Sequence, residues 1–97
     1  MFDELPAASG VRIERIVSHG GVNAAAEWYD QDDDEWVLVL EGEGELEFAN
    51  PAERVLLGVG DWIFIPAHRR HRVLRCAEPT VWLAVWPENG RRSGNSD

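Results

Sequence analysis

The chain has 97 residues, enough for one hydrophobic core and too few for a second domain. Nine arginines against eighteen acidic residues leave a net charge of -9, which repels polyanions and argues against nucleic acid and anionic membrane as partners. Lysine is absent, which excludes Schiff-base chemistry through a side-chain amine.

Cys76 is the single cysteine, so no intramolecular disulfide can form, and it reads as a small packing residue near a strand end. The start Met1-Phe2-Asp3-Glu4 lacks the basic and apolar segments of a signal peptide, and no apolar run approaches the ~20 residues of a spanning helix. Cytoplasmic residence is the expectation.

In chain order, residues 1–10 carry Pro6 and Gly10 and read as a lead-in, with one short strand or a loose turn. Val11 to Val17 alternates as a half-buried strand and ends at Ser18-His19-Gly20-Gly21, where His19 is a solvated turn residue. Val22 to Tyr29 contains Ala24-Ala25-Ala26, which favour helix on intrinsic propensity. The segment is short and lies between turn signals, so it reads as a strand. The run Asp30-Gln31-Asp32-Asp33-Asp34-Glu35 concentrates like charge, and Asp32, Asp33 and Asp34 read as a solvated loop.

Trp36 to Leu40 is continuously apolar, the pattern of a strand covered on both faces. Glu41-Gly42-Glu43-Gly44 then turns the chain into Glu45-Leu46-Glu47-Phe48, with Leu46 and Phe48 inward and the glutamates in water. The two strands are expected to pair as a hairpin.

Asn50-Pro51 is a further turn, and Arg54 to Leu57 is a short strand. Gly60-Asp61 leads into Trp62-Ile63-Phe64-Ile65, which Pro66 stops because it cannot donate to a ladder. His71 opens the strand Arg72 to Cys76, Glu78-Pro79 turns again, and Thr80 to Trp86 is a final strand apolar on both faces. Pro87 to Asp97 lacks apolar anchors and reads as a disordered tail. Seven or more short strands without a convincing helix make residues 11–86 an all-β sandwich or barrel. Five tryptophans are a heavy aromatic load. Trp36, Trp82 and Trp86 are expected on the face away from a central pocket, where a second copy would cover them in a homodimer.

Five residues separate Gly60 from Pro66 and four separate Pro66 from His71, while Glu35 and Gly42 stand seven apart. On these residues the chain resembles the cupin superfamily of small jelly-roll β-barrels. The family's second motif runs glycine, five residues, proline, any residue, glycine, two residues, histidine, with an asparagine four places later. Gly60, Pro66 and His71 match it, while His68 stands for the inner glycine and Arg75 for the asparagine. The first motif has two histidines one residue apart, then a glutamate and a glycine, for which Glu35 and Gly42 stand. The histidine places fall on Tyr29 and Gln31, or on Trp28 and Asp30. The resemblance covers residues 22–86 and implies a barrel with very diverse activities, hence a pocket and not a reaction.

Alternation puts His71, Val73 and Arg75 on one face, and Glu35, Val37 and Val39 on one face of the earlier strand. In a cupin-like barrel both sets point inward. Three function classes are open. In the first, His71 and Glu35 hold divalent iron, manganese, nickel or zinc, with Gln31 or Asp30 adding an oxygen and His68 reaching in from its loop. The chain is then a metal-dependent isomerase, lyase or dioxygenase acting on a small polar or anionic metabolite. In the second, a metal-free binding or sensor module, His71 and Glu35 pair as acid and base or as a satisfied buried site, and Arg75 clamps a carboxylate or phosphate. In the third the barrel is mainly an oligomerisation unit. Tyr29, Gln31, Phe64 and Arg75 are the expected ligand contacts, and Arg69, Arg70 and Arg72 are expected to pair with the acidic surface between Glu41 and Glu53.

Overall fold

A computed structural model of the chain describes residues 2–5, 10–22 and 27–87. They contain nine strands and no helix: β1 (Phe2–Leu5), β2 (Val11–Ser18), β3 (Gly21–Val22), β4 (Glu35–Glu41), β5 (Glu43–Phe48), β6 (Glu53–Gly58), β7 (Trp62–Ile65), β8 (His71–Cys76) and β9 (Thr80–Pro87). Two sheets result, ordered β1-β2-β9-β4-β7 and β3-β8-β5-β6, with every pairing antiparallel. This is a small jelly-roll barrel. No helix among the described residues is long and apolar enough to cross a membrane.

The period-2 alternation of a strand decides what is inside. In β5, Gly44, Leu46 and Phe48 are buried between half-exposed or exposed glutamates. Leu46 and Phe48 meet Val37 and Val39 of β4, Leu57 of β6, Ile65 of β7 and Trp82 of β9 in one cluster. Burying each such aliphatic or aromatic side chain stabilises the fold by about 1.5–3 kcal/mol. The two sheets touch where the Trp82 ring lies on Gly44, so closely that a Cβ there would sit 2.5 Å from Trp82 Cζ2.

Two expectations about packing are corrected. The outer face of β4 is not covered, because Trp36 is 41% and Leu40 44% exposed. Trp82 and Trp86 face the interior and not a second copy, since β9 is buried at Thr80, Trp82, Ala84 and Trp86. Register explains the split: Trp82 lies opposite Val39, whereas Trp36 lies opposite Val85 and shares its outer face.

The expected hairpin between β4 and β5 is absent. Both edges of β4 are occupied, one by β9 and the other by β7. A register shift between Val39 and Glu41 and a left-handed Gly42 (φ 82°) carry the chain into the second sheet, where β5 pairs with β6 and β8. Of the expected strand Val22 to Tyr29, Val22 ends β3 and Tyr29 makes an isolated bridge to His71; residues 23–26 lie outside the described residues, as do residues 88–97 of the expected tail, whose first residue, Pro87, instead ends β9 where it lies opposite Val11.

Candidate functional site

Strand parity gathers polar groups at one end of the interior. Glu35 opens β4 on the same face as Val37 and Val39, so the strand that builds the core also buries Glu35, which is 5% exposed. In β2, Arg12 lies opposite Trp86, Glu14 opposite Ala84 and Ile16 opposite Trp82. Because Trp36 is opposite Val85, Glu35 falls beside Trp86, and Arg12, Trp86 and Glu35 make a row across three strands. The second sheet contributes His71 opposite Phe48 and Val73 opposite Leu46.

Backbone bonds hold the loops over this end. Tyr29 N donates to His71 O at 2.7 Å, His71 N donates back to Tyr29 O at 3.1 Å, and His68 N donates to Gln31 O at 2.8 Å. Ala67 N donates to Asp34 Oδ1 at 2.8 Å. Between the sheets is a cavity of about 310 Å³ whose polar lining is Arg12, Glu14, Ser18, Tyr29, Gln31, Glu35 and His71. Its apolar lining includes Ile16, Val37, Leu46 and Val73.

His71 is fixed in orientation and tautomer. Its ring lies 5.7 Å from Tyr29 and 6.0 Å from Phe48, centroid to centroid, and Nδ1 donates to Arg69 O at 2.9 Å. A backbone carbonyl only accepts, so Nδ1 carries the proton and the neutral ring turns the Nε2 lone pair inward. Burial lowers the His71 pKa, and the nearby Arg69 charge acts in the same direction against the carbonyl bond.

Glu35 Oε1 lies 3.7 Å from Nε2, beyond hydrogen-bonding distance, and has no partner among the described residues. Burial raises the Glu35 pKa to about 7; the Arg12 charge opposes this and Glu14 adds to it. A carboxyl close to half-protonated at neutral pH thus faces a neutral imidazole at 3.7 Å, so that one ligand oxygen lying beside the pair can reach both. Such a pair can donate and accept protons in one turnover.

The structure brings together Glu35, His71, Tyr29 and Gln31. Gln31 Oε1 accepts from Trp86 Nε1 at 2.8 Å. Three expected site residues lie elsewhere. Arg75 is turned outward because Glu45 pairs with Arg75 while Leu46 pairs with Val73, leaving Leu74 as an extra residue that inverts the alternation; its Nε donates to Glu45 Oε1 at 2.8 Å. Phe64 lies opposite Trp36 on the outer face, with their rings 5.0 Å apart. Asp30 Oδ1 bonds His68 Nδ1 at 2.8 Å, in a loop where His68 is left-handed (φ 65°). Arg69 and Arg72 pair with Glu53 and Glu47, and Arg70 lies over Trp28. Arg12, Glu14, Ile16 and Ser18 of β2 are cavity residues that sequence reasoning missed.

The described residues do not fit a transition-metal ion. Such an ion takes three or four protein ligands. Here Glu35 and His71 are two, Gln31 is engaged with Trp86, and no group of three histidine, cysteine or acidic side chains suited to a metal exists among the described residues.

Comparison with known proteins fits this architecture. A cupin-domain family model matches residues 13–86. No curated protein matches the sequence. Among solved structures, a candidate mannose-6-phosphate isomerase from Ralstonia eutropha JMP134 is similar at 41% identity and a TM-score of 0.80, over 91% of this chain and 83% of that one. A cupin superfamily protein from Desulfitobacterium hafniense DCB-2 has 19% identity and a TM-score of 0.73, over 92% and 77%. The Fe(II) form of HppE in complex with substrate has 18% identity and a TM-score of 0.72, over 88% of this chain and 52% of that one; at such identities the likeness is one of fold. With a family model spanning β2 to β9 and a two-sheet barrel to match, the chain belongs to the cupin-domain family.

Proposed function

We propose that the barrel holds a small polar metabolite without a metal ion, and that Glu35 and His71 act on it as proton donor and acceptor. The observation that carries the reading is the 3.7 Å separation of His71 Nε2 and Glu35 Oε1, with Oε1 unpartnered among the described residues. A buried polar atom without a partner costs about 1–3 kcal/mol. A ligand hydroxyl beside the pair, donating to Nε2 and accepting from the protonated Glu35 carboxyl, would recover that energy. Pockets for small molecules run from about 300 to 1,000 Å³, and this one is at the small end.

The pair suits isomerisation. The Glu35 carboxyl passes its proton to a ligand oxygen while His71 Nε2 takes one from a neighbouring carbon or hydroxyl, and reversal of both transfers on the other side of the reaction restores the pair. General acid–base catalysis of this kind contributes about 10²–10⁴-fold. The 41% identical Ralstonia protein, a candidate isomerase, supports the reaction class. HppE, at 18% identity, lends only its fold, and no group of three histidine, cysteine or acidic side chains suited to a metal exists among the described residues here.

The test is thermal stability of chelator-treated protein against a panel of monosaccharides, hydroxy acids and sugar phosphates. A ligand at ~100 times its dissociation constant adds about 2.7 kcal/mol, and the shift should vanish in Glu35→Gln and His71→Ala. Binding that disappears with chelator and returns with a divalent ion overturns the metal-free reading, and no shift with any panel member overturns the ligand site.

A second copy of the chain is the proposed partner. Trp36, Trp62 and Phe64 stack at 4.8 and 5.0 Å while remaining 41%, 59% and 40% exposed, on the outer face beside the edge strand β7. Light scattering should give a dimer that Trp62→Glu converts to a monomer. A monomeric wild-type protein at micromolar concentration rejects it.

A further inference from the structure

Charge inside the cavity bears on the class of ligand. Among the described residues Arg12 is the only lysine or arginine lining it. Its Nη1 lies 3.9 Å from Glu14 Oε2, and its guanidinium carbon sits 4.2 Å over the Trp86 ring. Glu14 also lines the cavity, and Glu35 lies in the same row as Arg12, across Trp86. Three other arginines are engaged outside: Arg69 with Glu53, Arg72 with Glu47 and Arg75 with Glu45. His71 is held neutral by burial. One cation therefore faces two carboxyls, and an anionic ligand would bring a third acidic group into a half-open cavity, where like charges at close range disfavour one another.

We infer that the Arg12–Glu14 pair makes the cavity selective for small uncharged hydroxy-carbonyl compounds, unphosphorylated sugars among them, and excludes phosphate esters and carboxylates. The inference rests on the proposed ligand site at Glu35 and His71 and narrows it. Hydroxyl groups suit this lining because each can donate to Glu14 or to His71 Nε2 and accept from Arg12 or from the protonated Glu35. The C–H side of such a ligand meets Ile16, Val37, Leu46 and Val73.

The experiment is calorimetric titration of the wild-type protein, Glu14→Gln and Arg12→Gln with mannose, fructose and mannose 6-phosphate. Wild type is expected to bind one of the sugars at least tenfold more tightly than the phosphate ester. Glu14→Gln leaves the Arg12 charge unmatched by its neighbour and should shift that ratio at least tenfold towards the ester. Arg12→Gln should abolish ester binding and weaken sugar binding by less than tenfold, which keeps the test decisive if Glu14→Gln fails to fold. Tighter ester than sugar binding in wild type, or a ratio indifferent to both substitutions, overturns the inference. If that ester binding is lost in Glu35→Gln, the ligand site stands and only the charge argument falls. No binding of any probe to any protein overturns both.

Discussion

Replacing Glu35 by glutamine separates a buried acid from an ordinary surface one. The folded protein raises this carboxyl from 4.5 to about 7, the reverse of a salt-bridged acid. Well below pH 4.5 the group is protonated in both the folded and unfolded chain and makes no difference. Between 4.5 and 7 the unfolded chain releases its proton first, so stability falls as pH rises. Above pH 7 the loss levels off at about 3 kcal/mol, at about 1.4 kcal/mol per tenfold in proton affinity. Glutamine removes the titration. From pH 5 to pH 8 the stability of Glu35→Gln relative to wild type should therefore rise by about 2–3 kcal/mol, on the order of 10–20 °C in Tm for a domain of this size. Any fixed cost of the amide's own hydrogen bonding cancels between the two pH values. His71 acts in the opposite sense, because with a lowered pKa it weakens the fold as pH drops below 6.5; both proteins carry it, so it largely cancels as well. Calorimetric melts at pH 5, 6, 7 and 8 decide the matter. Tm curves that stay parallel across that range would falsify the buried, partly protonated Glu35.

Other substitutions probe the packing and the placement of the site. Gly44→Ala forces a methyl against the Trp82 ring and should cost about 1–3 kcal/mol in urea unfolding; an unchanged midpoint would mean that the sheets do not meet there. Gln31→Leu removes the acceptor of Trp86 Nε1 and should cost about 1–3 kcal/mol for the buried donor left behind, read by the same assay, with no loss counting against that bond. Arg75→Ala removes a half-exposed pair with Glu45, so it should cost at most about 1 kcal/mol and leave affinity for any cavity ligand unchanged. A tenfold weaker ligand would place Arg75 inside after all.

Much of the barrel is visible in local pattern. The turn at Gly60-Asp61, the stop at Pro66 and the alternation of Glu45 to Phe48 each depend on a few neighbouring residues, and β7 and β5 appear where those signals put them. Glu35 was readable as inward because it shares parity with Val37 and Val39. The strand β2 is harder: Val11, Ile13 and Val17 form its more apolar face, yet Arg12, Glu14, Ile16 and Ser18 line the cavity. No spacing in β2 says so, since the choice of face was made by pairing with β9. Phe64 misled for the same reason, being apolar on a strand whose outer face carries an aromatic cluster.

By itself, then, the sequence determined most strand and turn positions and the alternation within unbroken strands, because these follow from backbone chemistry with a period of two residues. Tertiary structure alone decided which edge each strand found, sending β5 away from β4 once β7 and β9 had taken both edges of β4. It also decided where parity broke, at the extra residue that turned Arg75 outward, and it set Glu35 against His71 at 3.7 Å. Edges, bulges and facing walls depend on residues distant in the chain competing for the same hydrogen bonds and the same space, which no local pattern records.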